Sequence, residues 1–205
     1  MPFIQQLLLI LAFLGTAVFS ISGALFAAEK KLDILGFILV GTVTGLGGGT
    51  LRDLLLGLSP VSWVQQSFSI YLCIAASSIT YFTVHLYRER DAWILWTDAL
   101  GLAAFAVTGA QLALAQQVPP IIAIVMGVMT ATFGGIMRDV LCAEILTLMR
   151  PELYISCALL GATTYVVAMS WAVNESLSIT VAFFAAFGLR SAAILWHLTL
   201  PRFGA

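Results

Sequence analysis

The sequence predicts an all-α integral membrane protein: seven transmembrane helices, arranged as two inverted three-helix repeats plus a seventh helix, with helices two and five kinked. Three observations predict it. Hydrophobic residues make up 61% of the chain and charged residues 9%, far from the roughly 25% charged that is usual for water-soluble domains. Seven apolar stretches reach the length of about 20 residues that a helix needs to cross a bilayer. The sequence also matches itself when slid by 86 residues.

Taken in order, residues 1–28 carry no charged side chain, which places a first span at about 6–28. The missing basic segment at the start argues against a cleaved signal peptide. Residues 33–57 form the second span, interrupted by glycines, and 63–87 and 93–115 form the third and fourth. Pro119 and Pro120 punctuate a long uncharged run, because proline removes a donor and breaks a helix, so the fifth span follows at 121–144. The sixth is 153–173 and the seventh 177–198. The chain thus divides into a first repeat at 1–91, a second at 92–174, and a seventh helix with its tail at 175–205. No soluble domain has room between these spans.

Loop charge sets the orientation. Lys30, Lys31, Arg88, Arg90, Arg150 and Arg202 all fall on the side shared by the loops after spans one, three and five and the C-terminus, and the opposite loops carry no lysine or arginine. By the positive-inside rule that side is cytoplasmic, so the N-terminus lies outside and the C-terminus inside the plasma membrane. Lys30 and Lys31 either set topology alone or also touch anionic lipid. A net charge of -1 and the lack of a basic helix point away from a nucleic-acid partner. No nucleotide-binding loop, metal-ligand cluster or nucleophile-base set is legible, so neither an enzyme nor a cofactor is expected. Cys73, Cys142 and Cys157 read as small buried hydrophobes.

The 86-residue shift lays "GTAVFSISGALFA" (15–27) on "GLAAFAVTGAQLA" (101–113) and "GTVTGLGGGTLRD" (41–53) on "GVMTATFGGIMRD" (127–139). Between positions 15 and 53, 13 of 39 residues equal their partners. Each copy holds three spans, an odd number, so the second enters the membrane from the opposite side. The glycine runs Gly47, Gly48, Gly49 and Gly134, Gly135 then lie deep in the bilayer. Unwound backbone there survives only where protein or a wet cavity satisfies it, so these runs are expected to line a polar path. Arg52 and Asp53, and their counterparts Arg138 and Asp139, are expected to face inward, since charge at that depth turns toward a partner or a pathway. Thr44 and Thr130, equivalent across the copies, would add hydroxyl oxygens to the path.

Packing is the competing reading. Gly41, Gly45 and Gly49 recur every four residues, as do Gly127, Ala131 and Gly135, the spacing that lets membrane helices pack closely. It accounts for neither Gly47 and Gly48 nor the paired charges. Asp98 and Arg190 fall on the same cytoplasmic half, where they could form a buried pair or Arg190 could snorkel to the interface. His85 and His197 sit near helix ends among aromatic residues, as interfacial anchors do.

The stretches "DILGFILVGTVTGLGGGTLRDLLLGLSPVSW", "DALGLAAFAVTGA", "GGIMRDVLCAEI" and "RPELY", together with "LRSAAILWHLTLP" in the last helix, resemble the prokaryotic trimeric intracellular cation (TRIC) channels and their bacterial relatives described as glycine transporters. The resemblance covers nearly the whole chain. It implies a homotrimer in membrane lipid, with a pore through each protomer for potassium or sodium and with the second and fifth helices bent at Gly47, Gly48, Gly49, Gly134 and Gly135. Arg52, Asp53, Arg138 and Asp139 match the family's paired charges, and the arginines gate or hold structure, because a fixed positive charge repels cations. Leu146 stands where the family pattern has proline, which bears on the turn after the fifth helix. A carrier of a small amino acid such as glycine would use the same architecture.

Overall fold

Helix follows the apolar runs throughout the computed structural model, which describes residues 3–86, 90–144 and 153–199. The elements are α1 (Phe3–Glu29), α2 (Ile34–Leu55), a short α3 (Ser62–Gln65), α4 (Phe68–Thr83) with a single 3-10 turn at Val84–Leu86, α5 (Arg90–Ala115), α6 (Pro120–Leu141), α7 (Ile155–Ser170) and α8 (Glu175–Trp196). Six of these are long and apolar enough to cross a membrane, and α7 is a shorter apolar helix. Arg88, Arg150, Arg202 and Leu146, and the side chain of Arg90, lie outside the described residues.

Helix ends follow from local chemistry. Asp33 opens α2 by accepting the backbone N–H of Gly36 at 2.8 Å, and Asn174 opens α8 by accepting that of Ser176 at 3.0 Å, each satisfying a donor that the first turn leaves free. Pro120 begins α6, where its missing N–H is not needed. After α2 the chain turns at Gly57, whose φ of +69° suits glycine.

The third span starts later than the sequence suggests. Residues 62–65 form the separate α3 because the backbone N–H of Ser62 donates to Asp53 Oδ2 at 2.8 Å, which docks this short helix on the end of α2.

The expected unwinding at the glycine runs needs correction. Both α2 and α6 run as uninterrupted helix through their glycine runs. Each glycine costs about 1 kcal/mol of helix propensity relative to alanine. Close helix crossing offsets that loss: a Cβ on Gly48 would overlap the carbonyl oxygen of Thr130, and one on Gly134 would overlap that of Thr44. The backbones of α2 and α6 therefore touch where the sequence suggested that they unwind.

Around this crossing α1 packs on α2, α4 and α5, while α5 packs on α6, α7 and α8. Helix α5 is the centre, with 72% of its apolar span buried against 17% for the span that contains α4. Large apolar side chains such as Leu35, Phe82 and Trp171 point outward at 65–78% exposure or close to it (70%, 65% and 78%), as surfaces bathed in lipid do and the surfaces of soluble monomers do not.

One ion pair joins two helix ends on the same face of the bundle. Lys30, just past α1, donates to Glu144, just past α6, at 2.6 Å. The hydrogen bond to Glu144 holds the Lys30 ammonium above its ordinary pKa of 10.5. Its contribution to stability is complete below 10.5 and lost as pH rises through the raised value. A Lys30→Gln variant is therefore expected to melt slightly below wild type, by a constant gap from about pH 7 to about pH 9 that closes in strong alkali. A gap that widens with pH in thermal unfolding would contradict this.

Candidate functional site: the crossing of α2 and α6, its paired charges and an adjoining cavity

The crossing brings together the expected path residues, but not with the expected exposure. Thr44 and Thr130 are fully buried, and each hydroxyl donates to its own helix: Thr44 to the carbonyl of Val40 and Thr130 to that of Met126, both at 2.6 Å. Both hydroxyls are spent as donors within their own helices and have no exposed surface. They instead fill the space over two further glycines, since a Cβ on Gly23 would strike Thr44 Oγ1 and one on Gly109 would strike Thr130 Oγ1. Gly47 packs against Met137 and Gly135 against the Tyr154 hydroxyl. Packing thus accounts for Gly47, Gly48 and Gly134 as well as for the four-residue stripe, Gly49 excepted.

The paired charges are inward, and they differ. Arg138 Nε and Nη2 both donate to Asp139 Oδ1, at 2.9 and 2.8 Å. Its Nη1 donates to Asp98 Oδ1 at 2.8 Å and to Ser22 Oγ at 2.6 Å, and the guanidinium lies 4.1 Å from the Phe26 ring centroid. Two helices besides α6 reach it: α1 supplies Ser22 and Phe26, and α5 supplies Asp98. Arg138, Asp98 and Asp139 are each exposed by 2% or less (1%, 2% and 1%), so this cationic centre is sealed and neutralised by two carboxylates.

Asp98 thus pairs with Arg138, not with Arg190. Arg190, from α8, is buried, donates to the Leu153 carbonyl at 3.0 Å and lies over the Tyr154 ring. A shared membrane half brought Asp98 and Arg190 near the same tyrosine, and the shorter reach to Arg138 decides the pairing.

Arg52 has a simpler setting. Its Nε and Nη2 donate to Asp53 Oδ1 at 2.9 and 2.6 Å. Asp53 Oδ2 accepts from the backbone and the hydroxyl of Ser62. Among the described residues nothing accepts from Arg52 Nη1 within hydrogen-bond distance. The pair lines a cavity of about 500 Å³ between α1, α2, α3 and α5, together with Gly45, Gly49, Thr50 and Thr108. Apolar side chains such as Leu8, Phe13 and Phe105 and the amides of Gln5, Gln65, Gln66 and Gln111 complete its walls. Of the path residues expected from sequence, Gly49, Arg52 and Asp53 line this cavity, whereas Thr44, Gly47, Gly48, Thr130, Gly134 and Gly135 do not.

Sequence reading missed Ser22, Phe26, Tyr154 and Ser62. Ser22 left one signal, a hydroxyl in both copies, since Thr108 is its counterpart under the 86-residue shift.

A family model described as glycine transporter matches residues 9–85 and 95–170. In structure, the chain superposes on a TRIC trimeric intracellular cation channel orthologue from Rhodobacter sphaeroides with TM-score 0.92 and 45% identity, covering 94% of this chain and 99% of that one. The chain belongs to the TRIC channel and glycine transporter family. A prokaryotic TRIC channel solved in 0.5 M KCl gives TM-score 0.89 at 31% identity, over 96% of this chain and all of that one (100%). Among relatives in sequence, the UPF0126 inner membrane protein YadS of Escherichia coli K12 is 38% identical, with 92% of each chain covered. A UPF0126 membrane protein of Vibrio cholerae is 37% identical over 97% of this chain and 83% of its own. The protein is accordingly an all-helical membrane protein of TRIC type.

Proposed function

We propose that the protein is a monovalent cation channel, permeable to potassium and sodium, with a pore through each protomer of a homotrimer in the cytoplasmic membrane. The observation that carries this reading is the superposition at TM-score 0.92 and 45% identity on a solved TRIC cation channel, across nearly the full length of both chains.

The architecture behind it is a duplicated, inverted one, with seven spans, N-terminus outside and C-terminus in the cytoplasm. Reciprocal contacts support the duplication. Gly48 meets Thr130 as Gly134 meets Thr44, Gly41 meets Ser20 as Gly127 meets Ala106, and Gly15 meets Phe105 as Gly101 meets Phe19. Every one of these pairs maps onto its counterpart under the same 86-residue shift. The stretches matched by the family model begin at residues 9 and 95, again 86 apart.

In this reading the cavity at Arg52 is the outer mouth of the path, and the α2–α6 crossing closes it. Opening parts the two helices at Gly48 and Gly134. Because α2 and α6 are unbroken helix, they free no backbone carbonyls to make the closely spaced rings on which potassium selectivity depends. Potassium is therefore expected to pass with little preference over sodium.

Planar-bilayer recording of purified protein tests this. Unitary currents in a gradient of a potassium salt with an impermeant anion are expected to reverse near the potassium equilibrium potential. Silent bilayers, with saturable glycine counterflow in liposomes of the same protein, would replace the channel by a carrier.

A further inference from the structure

The two arginine sites are counterparts, and only one is filled. A Cβ built on Gly49 would lie 3.7 Å from Arg52 Nη2, and one built on Gly135 would lie 3.7 Å from Arg138 Nη2. Both guanidinium groups thus fold back over a glycine in the same way. Around Gly135 the Tyr154 hydroxyl and Asp98 Oδ1 also come within 4 Å, at 3.0 and 3.9 Å, whereas Gly49 meets nothing else within that distance among the described residues. The 86-residue shift gives the reason: Asp98 corresponds to Ala12 and Phe26 to Leu112. Ala12 and Leu112 both line the cavity at Arg52.

Arg138 therefore has a carboxylate on Nη1 from Asp98, while Arg52 Nη1 has no acceptor among the described residues, although Arg52 is only 7% exposed. Its Nη1 is open to the cavity, and a guanidinium otherwise enclosed by protein gains from a second, charged acceptor there. Asp53 is the one acid among the described lining residues, and both of its oxygens are already bound, to Arg52 and to Ser62. An ammonium group on a ligand would find no free acid there. The remaining wall is uncharged: apolar side chains alternate with neutral polar ones such as Gln5, Gln65, Gln66 and Gln111.

We propose that this cavity binds a short monocarboxylate, whose carboxylate pairs with Arg52 in the place that Asp98 fills beside Arg138. The inference rests on the duplication and on the cavity taken above as the mouth of the path. It is read by binding, so that it can fail separately from the channel.

The test is thermal unfolding of the purified trimer in sodium acetate or butyrate against sodium chloride of equal ionic strength. Wild type is expected to melt higher in the carboxylate, by roughly 2 °C or more near saturation. Ala12→Asp, which supplies the acid that the second copy already has, is expected to remove the shift. Arg52→Gln is expected to remove it too, and decides the matter if Ala12→Asp does not fold. Equal melting of wild type in acetate, butyrate and chloride overturns the proposal, as does a shift that survives in Arg52→Gln. A shift produced by phosphate-headgroup lipid and by neither carboxylate also overturns it. A carboxylate shift beside silent bilayers would sink the channel and leave this site standing.

Discussion

Arg138→Met is expected to lower stability by about 3–5 kcal/mol, because it strands buried charge. Asp98 and Asp139, exposed by 2% and 1%, would both lose the guanidinium that neutralises them. Ser22 Oγ would lose its donor and the Phe26 ring its cation. Arg52→Met is expected to cost much less, since Asp53 keeps the backbone N–H and hydroxyl of Ser62 and borders a cavity. Thermal unfolding and the yield of folded protein in detergent measure both. Adding Asp98→Asn and Asp139→Asn to Arg138→Met should recover much of the loss, because the triple variant buries no unpaired charge. Equal melting shifts for Arg138→Met and Arg52→Met would show that the two sites are not as different as their surroundings indicate.

The spans were legible because the bilayer demands about 20 apolar residues whatever the fold. Observed helices start and stop within a few residues of those spans, except at 62–67. There Ser62 serves Asp53, a contact between residues nine apart that hydropathy cannot register. The self-match at one offset was legible as well, since it is written in identities. What the glycine runs do was not. Glycine weakens a helix and also lets another backbone approach, and one sequence carries both signals. The carbonyl of Thr130 decides between them at Gly48, and it arrives from a helix 82 residues further along (130 − 48). The pairing of Asp98 was hidden for a similar reason. Topology placed it on the same half as Arg190, but only the packing of α5 on α6 shows that Arg138 lies nearer. Threonine hydroxyls are ambiguous in the same way, because a helix can satisfy them through the carbonyl four residues back, as it does at Thr44 and Thr130.

Gly48→Ala and Gly134→Ala are each expected to destabilise the protein by about 1–3 kcal/mol, although alanine is the better helix former by about 1 kcal/mol. The atom in the way is decisive. A Cβ at either position overlaps a backbone carbonyl oxygen, Thr130 at one and Thr44 at the other, and a carbonyl held in a helix cannot swing aside as a side-chain terminus can. Relief requires α2 and α6 to separate. A single separation relieves both clashes, so the double variant is expected to cost less than the sum of the two singles. Gly188→Ala supplies the contrast, because a Cβ there meets nothing within 4 Å, and it should be neutral or stabilising by up to about 1 kcal/mol. Melting of the purified proteins reads all four variants. If the crossing is also the closure of the path, the two clashing variants that fold should open more often in bilayers, since alanine penalises the packed arrangement and not the parted one. If Gly48→Ala and Gly134→Ala melt at or above wild type, the two helices do not cross at these glycines, and the crossing cannot be the element that shuts the path.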